Sequence, residues 1–315
     1  MRALVLGARG AVGSAASAAL RGRGHEVIGA GRRAPDDGVS IDATTAAGLT
    51  RLADEARRAD VVLDASGLEL AVVQAAVGST PLVDVSATAA HLEQLATGVP
   101  DGGAALLGAG IAPGLSTVLI RALDPAPGDE IDLAVVLGTG EAHGAAAVDW
   151  TVRLAGATLY AAPEPHPIVN FRTRRRLQLP GATPRTHLRA DFPDDLLIGR
   201  PSGVDVRSWL AMDSRVATAA LGLVGALPAL APLLRSAPHL GGHAWSVSAI
   251  HRGSGRALAA TGVGQSDATG RLAALAAERL VTLGLRGPVT MADAVGADEL
   301  ELAGGLRLHW QEASR

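Results

Sequence analysis

A chain of 315 residues with 48% hydrophobic and 19% charged residues, formal charge -3 and pI near 6.3 suits a soluble protein of two domains and excludes a polyanion-binding surface, so nucleic acid is not an expected partner. All 28 basic residues are Arg, and neither Lys nor Cys occurs. That excludes Schiff-base amines, a P-loop lysine, a Tyr-Lys reductase pair, thiol nucleophiles, disulfides and thiolate metal sites.

The first 124 residues alternate short β-branched runs with Ala-rich segments, the pattern of a parallel sheet wrapped by helices. Strands are predicted at Ala3–Leu6, Glu26–Ala30, Val39–Ile41, Val61–Asp64, Leu82–Val85 and Ala104–Leu107. Helices are predicted at Val12–Arg21, Ala46–Arg58, Glu69–Val77, Ala87–Ala96 and Leu115–Leu123, each long enough for a crossover. The Pro/Gly break Asp124-Pro125-Ala126-Pro127-Gly128 marks a domain boundary.

Residues 125–263 read as an α+β domain. Its predicted elements are a strand at Glu130–Leu137, a helix at Ala145–Leu159, strands at Phe171–Leu179 and Val204–Met212, and a hairpin of His243–Ile250 with Arg256–Gly262 turned at Gly253-Ser254-Gly255. The uncharged stretch Val216–Leu234 is interrupted by Gly222, Gly225, Pro228 and Pro232, so it reads as a buried helix pair at an interface, suggesting a homodimer, rather than as a membrane span. Residues 264–315 open with a long amphipathic helix over Asp267–Leu283, expected to pack back on the first domain. The fold class is thus α/β, a doubly wound Rossmann-type parallel sheet with a second α+β domain. Met1-Arg2 runs directly into a strand without a signal-peptide pattern, from which a cytoplasmic location is expected.

The sharpest motif is Gly7-Ala8-Arg9-Gly10-Ala11-Val12-Gly13 between the first strand and first helix. Glycines there allow a tight turn and close approach of a pyrophosphate to free helix N–H groups. The second strand ends in Gly31-Arg32-Arg33, where an NAD site would carry a ribose-binding acid. Two guanidinium groups at that place, with Arg9 in the loop, favour the extra phosphate of NADP(H). Asp42 and Ala65-Ser66-Gly67 follow later strands, at the carboxyl edge where such sheets bind ligands; Asp42 is expected beside the adenine and Ser66-Gly67 beside the cofactor.

In the second domain His143, among small residues in Gly140-Glu141-Ala142-His143-Gly144, is the expected proton donor, since imidazole exchanges protons near neutral pH. Trp150 is a candidate pocket wall or core residue. Arg172, Arg174 and Arg176 share one strand face, where Arg174 can clamp a carboxylate or phosphate, or simply protect an edge strand; Arg207 is a further anion-binding candidate. The nine His show no His-x-x-x-His spacing and no serine nucleophile elbow occurs, so a metal site and a hydrolase are not expected.

The N-terminal glycine loop, Gly108-Ala109-Gly110-Ile111-Ala112-Pro113-Gly114-Leu115-Ser116 and the late Ala260-Thr261-Gly262 with Ser266-Asp267-Ala268-Thr269 together resemble the saccharopine dehydrogenase-like reductases over nearly the whole chain. The resemblance implies that Gly110 and Pro113 lie near a nicotinamide, that the second domain binds substrate and builds a dimer, and that the C-terminal helix returns. It also implies an NADPH-dependent reductase acting on a C=N or activated C=O carbon of a small molecule. Alternatives within reach of the same motifs are an enoyl reductase on a lipid or polyketide, a redox-neutral nicotinamide-dependent transferase and a non-catalytic NADP(H) sensor.

Overall fold

The structure is a computed structural model that describes residues 1–33, 35, 38–141, 145–158, 163–236 and 241–312. The chain forms two compact units, Met1–Val118 with Ser266–Gly304, and Leu119–Gln265 with the C-terminal residues from Gly305.

The first unit is built on a seven-stranded, all-parallel sheet. Its strands are β1 (Arg2–Leu6), β2 (Glu26–Gly31), β3 (Val39–Ser40), β4 (Val61–Asp64), β5 (Leu82–Asp84), β6 (Ala104–Leu107) and a late strand, Gly287–Thr290; the order is late strand-β6-β5-β4-β1-β2-β3. β4 and β6 are buried along their whole length, as expected of strands covered on both faces. The crossovers are α1 (Ala11–Gly22), α2 (Ala46–Ala56), α3 (Ala71–Val77), α4 (Ala89–Thr97) and α5 (Leu115–Ala122). Thr45 caps α2 by accepting from the Gly48 amide at 3.0 Å.

The chain enters the second unit within α5. There β7 (Glu130–Leu137), α6 (Ala145–Leu154), β8 (Arg174–Leu177), β9 (Arg185–Arg189), α7 (Arg200–Ser202), β10 (Asp205–Met212), α8 (Arg215–Ala226), β11 (Ala244–His251) and β12 (Ala257–Val263) precede α9 (Gln265–Thr282). The late strand of the first sheet is β13, followed by α10 (Met291–Ala294) and β14 (Leu306–Gln311). The second sheet is mixed, in the order β14-β12-β11-β7-β10-β9-β8, with β10 and β7 parallel.

The six predicted Rossmann strands and the hairpin all form, each within about two residues of its expected bounds. Three strands escaped the sequence. β13 holds Pro288 and was hidden in a helix-stop signal; it is tolerated because β13 is an edge strand pairing only with β6. β9 is short and polar. β14 pairs with β12, so the last residues join the second sheet where the sequence suggested a return to the first unit. α9 from Ser266 onward belongs to the first unit, with Leu272, Leu275 and Leu280 fully buried.

The stretch Val216–Leu234 divides into α8 and a 3-10 segment, Pro228–Ser236. Among the described residues no helix is long and apolar enough to cross a membrane. The expected burial is incomplete within the chain: Leu221 and Val224 are buried, but Val216, Leu223, Leu227 and Leu233 are exposed.

Candidate functional site

The carboxyl edge of the first sheet carries a pocket of about 760 Å³, lined at the ends of β1, β2 and β4 by Gly7, Arg9, Gly10, Arg32, Arg33 and Ser66, among others. It opens where the strand order reverses between β1 and β4, the place where open α/β sheets bind ligands.

The glycine loop explains the floor. Gly7 has φ +73°, and a Cβ there would stand 2.4 Å from the Ala65 carbonyl oxygen, so only glycine suits the turn. A Cβ on Gly13 would stand 2.2 Å from the Gly7 oxygen; its absence lets α1 press against the loop. Gly10 is the N-cap of α1, and no side chain caps this helix and no acid lies in its first turn. The helix therefore presents the amides of Ala11, Val12 and Gly13 without intrahelical acceptors, with the positive end of its dipole.

Arg32 and Arg33 are exposed where β2 ends, and no carboxylate is among the lining residues. Asp42 stands beside the lining residues Ile41 and Ala43 but is not itself one. Its carboxylate accepts from the Thr44 hydroxyl at 2.6 Å and amide at 3.1 Å. These bonds, aided by the charge of Arg32, hold its pKa below the ordinary carboxylate value despite partial desolvation. Asp42 thus shapes the turn before α2. Ala65 abuts Gly7 through its carbonyl, and Gly67 takes φ +70°.

Beneath the Ser66 wall lies a group that the sequence did not mark as a unit. Asp64 and Asp84 end adjacent strands and are both buried. Asp64 accepts from the Ser66 amide at 2.9 Å and Asp84 from the Ser86 amide at 2.7 Å. The His91 Nε2 lies 3.6 Å from Asp84. Burial first, and the charge of Asp84 second, push the Asp64 pKa up to about 6. Burial lowers the His91 pKa, but the bond to Asp84 and its charge outweigh this and leave it above the ordinary value. Only the position of Asp64 and Asp84 at strand ends was available as a sequence signal.

Gly110 and Pro113 are buried and are not pocket-lining residues. Their loop closes on itself, the Gly110 amide donating to the Pro113 carbonyl at 2.9 Å and the Leu115 amide to the Gly110 carbonyl at 2.9 Å.

In the second unit Trp150 packs at 5.2 Å, centroid to centroid, against buried Phe192, a core contact. Arg207 is engaged by Glu130 at 2.7 Å, Glu164 at 3.3 Å and the Pro163 carbonyl at 3.0 Å, so its charge is spent inside the unit and the expected anion clamp is not formed by it. Arg174 lines a second, smaller pocket. His143 lies outside the described residues. Among the described residues no group of His, Asp and Glu could hold a metal ion.

A family model described as the NAD dependent epimerase/dehydratase family matches residues 3–89, the segment that contains the glycine loop. No curated protein matches the chain significantly. Among solved structures, apo saccharopine dehydrogenase (L-Glu forming) from Saccharomyces cerevisiae aligns with 98% of this chain and 99% of that chain, with 12% identity and TM-score 0.58. A meso-DAPDH mutant with DAP from Clostridium tetani aligns over 95% of both chains with 14% identity and TM-score 0.45. The 3-alpha-hydroxysteroid dehydrogenase from Pseudomonas, complexed with NADH, shares 22% identity over 34% of this chain and 46% of that chain, with TM-score 0.22. At full-length coverage and low identity, the first of these likenesses is one of architecture: the chain has the two-domain α/β fold of saccharopine dehydrogenase.

Proposed function

We propose that the pocket of the first unit holds a nicotinamide dinucleotide, NADP(H) ahead of NAD(H), and that the chain is a nicotinamide-dependent oxidoreductase acting on a C=N or activated C=O carbon of a small metabolite. The observation that supports this best is the convergence of Gly7, Gly10, Arg9, Arg32, Arg33 and Ser66 on one cavity at the uncapped end of α1. Its volume of about 760 Å³ suits a cofactor-sized ligand, and the space above Gly10, whose added Cβ would meet only the Gly7 oxygen within 4 Å, suits a pyrophosphate.

In this reading the amides at the start of α1 and the backbone of Gly7 and Gly10 would hold the pyrophosphate, and Arg32 and Arg33 would hold the ribose phosphate. Ser66, fixed through its amide by Asp64, forms the wall opposite. The nicotinamide, when bound, supplies the hydride, and the protein supplies position and electrostatics. His143 is the proposed proton donor. An imine is the favoured acceptor because it is readily protonated before hydride attack, so the missing Tyr-Lys pair is tolerable. A homodimer is part of the same proposal, with exposed Val216 and Leu223 of α8 and Leu227 directly after it supplying an apolar face.

The test is equilibrium binding of NADPH and NADH, followed by NADPH oxidation across imines, keto acids and enoyl thioesters. Selective NADPH binding with turnover on imines or activated carbonyls supports the reading. Tight binding without turnover moves the weight to a redox-neutral transferase or an NADP(H) sensor, and absence of binding overturns the cofactor site itself.

A further inference from the structure

The second unit holds a smaller pocket, about 240 Å³, whose lining includes four arginines: Arg174 and Arg176 of β8, Arg185 of β9 and Arg215 at the start of α8. No acid is among its lining residues. The sequence sets Arg174 and Arg176 on one strand face, but not Arg185 and Arg215 beside them, because the four residues come from three elements. The antiparallel register of β8 and β9 sets Arg174 opposite Leu188 and Arg176 opposite Thr186, so the two arginines share the face that carries both of those residues into the pocket lining.

Three features make this more than a solvated charged edge. The guanidinium groups of Arg174, Arg176 and Arg215 have no hydrogen bond or ion pair among the described residues, whereas that of the neighbouring Arg175 reaches Asp132 at 3.3 Å. Arg185 is anchored by the Met212 carbonyl and, at 3.2 Å, by the Asp213 carbonyl, yet its Nε is buried without an acceptor. A buried donor left unpaired calls for a partner that the chain does not provide. Finally, Gly222 leaves room for Arg174 beside α8: a Cβ there would stand 3.2 Å from the Arg174 Nη2.

The acid whose charge acts on Arg185 is Asp213. Its carboxylate is already engaged by the Thr139 hydroxyl at 2.9 Å and by the amides of Gly242 at 2.6 Å and Ser214 at 2.8 Å. Ser214 caps α8 through the Val216 and Ala217 amides, so the field in the pocket comes from the guanidinium groups rather than from an open helix end.

We propose that this pocket is a binding site for a phosphoryl dianion, either inorganic phosphate or the phosphate of a small ester. Guanidinium forks match phosphate oxygens in pairs, a dianion offsets the mutual repulsion of four like charges, and Leu188, Ala219 and Pro184 give the carbon side of an ester apolar contact. The site lies wholly within the second unit and does not depend on the cofactor reading.

The test is calorimetric titration with inorganic phosphate at constant ionic strength, using the full chain, Arg174→Ala/Arg176→Ala and Arg32→Ala/Arg33→Ala. The second double variant is included because phosphate can also enter the first pocket. The expected result is saturable binding that survives Arg32→Ala/Arg33→Ala and weakens at least tenfold in Arg174→Ala/Arg176→Ala, with unfolding temperature unchanged. Arg215→Glu, which places a carboxylate at the pocket, is expected to abolish binding as well. Glycerol phosphate titrated in parallel distinguishes the two sources, an ester site binding it more tightly than inorganic phosphate. Non-saturating heats for both compounds, or binding that persists in Arg174→Ala/Arg176→Ala, would overturn the proposal.

Discussion

Asp64 and Asp84 are register partners at the ends of β4 and β5, both buried, and each holds the backbone amide two residues further on. Through Ser66 the first of these bonds supports a wall of the large pocket. Burial away from water first, and the neighbouring Asp84 carboxylate second, disfavour ionisation of Asp64, which is why its pKa is raised.

The sign of the pH effect follows. Between 3.8, the ordinary value, and about 6, the folded chain keeps a proton that the unfolded chain releases, so the Asp64 contribution falls as pH rises through that window. His91, held above its ordinary value of 6.5, contributes stability that is present below 6.5 and lost as pH rises through its folded value. Asp64→Asn keeps an acceptor for the Ser66 amide and removes one charge. Its unfolding temperature should exceed that of the wild type by a few degrees at pH 8, with the gap closing toward pH 4; a gap independent of pH would contradict the argument.

Two glycines separate folding from binding. Gly7→Ala forces a Cβ toward the Ala65 oxygen at positive φ and should cost about 1–3 kcal/mol of stability, together with loss of NADPH binding. Gly10→Ala meets only the Gly7 oxygen, at 3.2 Å, and should cost less than about 1 kcal/mol while weakening NADPH binding. Paired thermal melts and fluorescence titrations read both quantities.

Arg32→Ala/Arg33→Ala should lower the preference for NADPH over NADH at least about tenfold, since hydrogen bonds to charged groups contribute roughly 1.5–3 kcal/mol. The measurement is the ratio of the two dissociation constants; an unchanged ratio would remove these arginines from cofactor choice.

Arg252 grips the buried Asp132 carboxylate with two bonds, at 2.9 and 2.7 Å, while the Trp209 indole donates to the same group at 2.7 Å. Arg252→Ala leaves a buried charge short of its main partner and should cost about 3–5 kcal/mol. Adding Asp132→Asn should recover part of that loss, as denaturant unfolding of the double-mutant cycle can show.

His143→Ala should lower kcat roughly 10²–10⁴-fold with NADPH affinity unchanged. Single-turnover kinetics separate this from a binding defect, and full retained turnover would assign the proton to water.

The first unit was legible because its rules are local. A strand, a turn that needs glycine and a helix lie within residues 2–22, and Arg32 and Arg33 follow directly from the end of β2. Six strands and their crossovers could be placed from the alternation of apolar runs with Ala-rich segments. Gly7, Arg9, Gly10, Arg32, Arg33 and Ser66 of the pocket lining were therefore among the expected residues, whereas Ala11, Val12, Gly13, Ala65 and Gly67 are not lining residues, Asp42 turns to Thr44, and Gly110 and Pro113 fold into their own loop.

Tertiary structure decided whatever depends on pairing between distant segments. β13 has too little pattern of its own to be read as a strand, and its pairing with β6 defines it. β14 does alternate apolar Leu306, Leu308 and Trp310 with polar Arg307, His309 and Gln311, but only its pairing with β12 places it in the second sheet. Asp64 and Asp84 become buried neighbours because parallel register aligns residues 20 positions apart. The four-arginine pocket likewise exists because an antiparallel pair and the start of α8 converge. Sequence periodicity reports the face on which a residue sits, but which other face it meets is set by strand order and register, and these are properties of the folded chain.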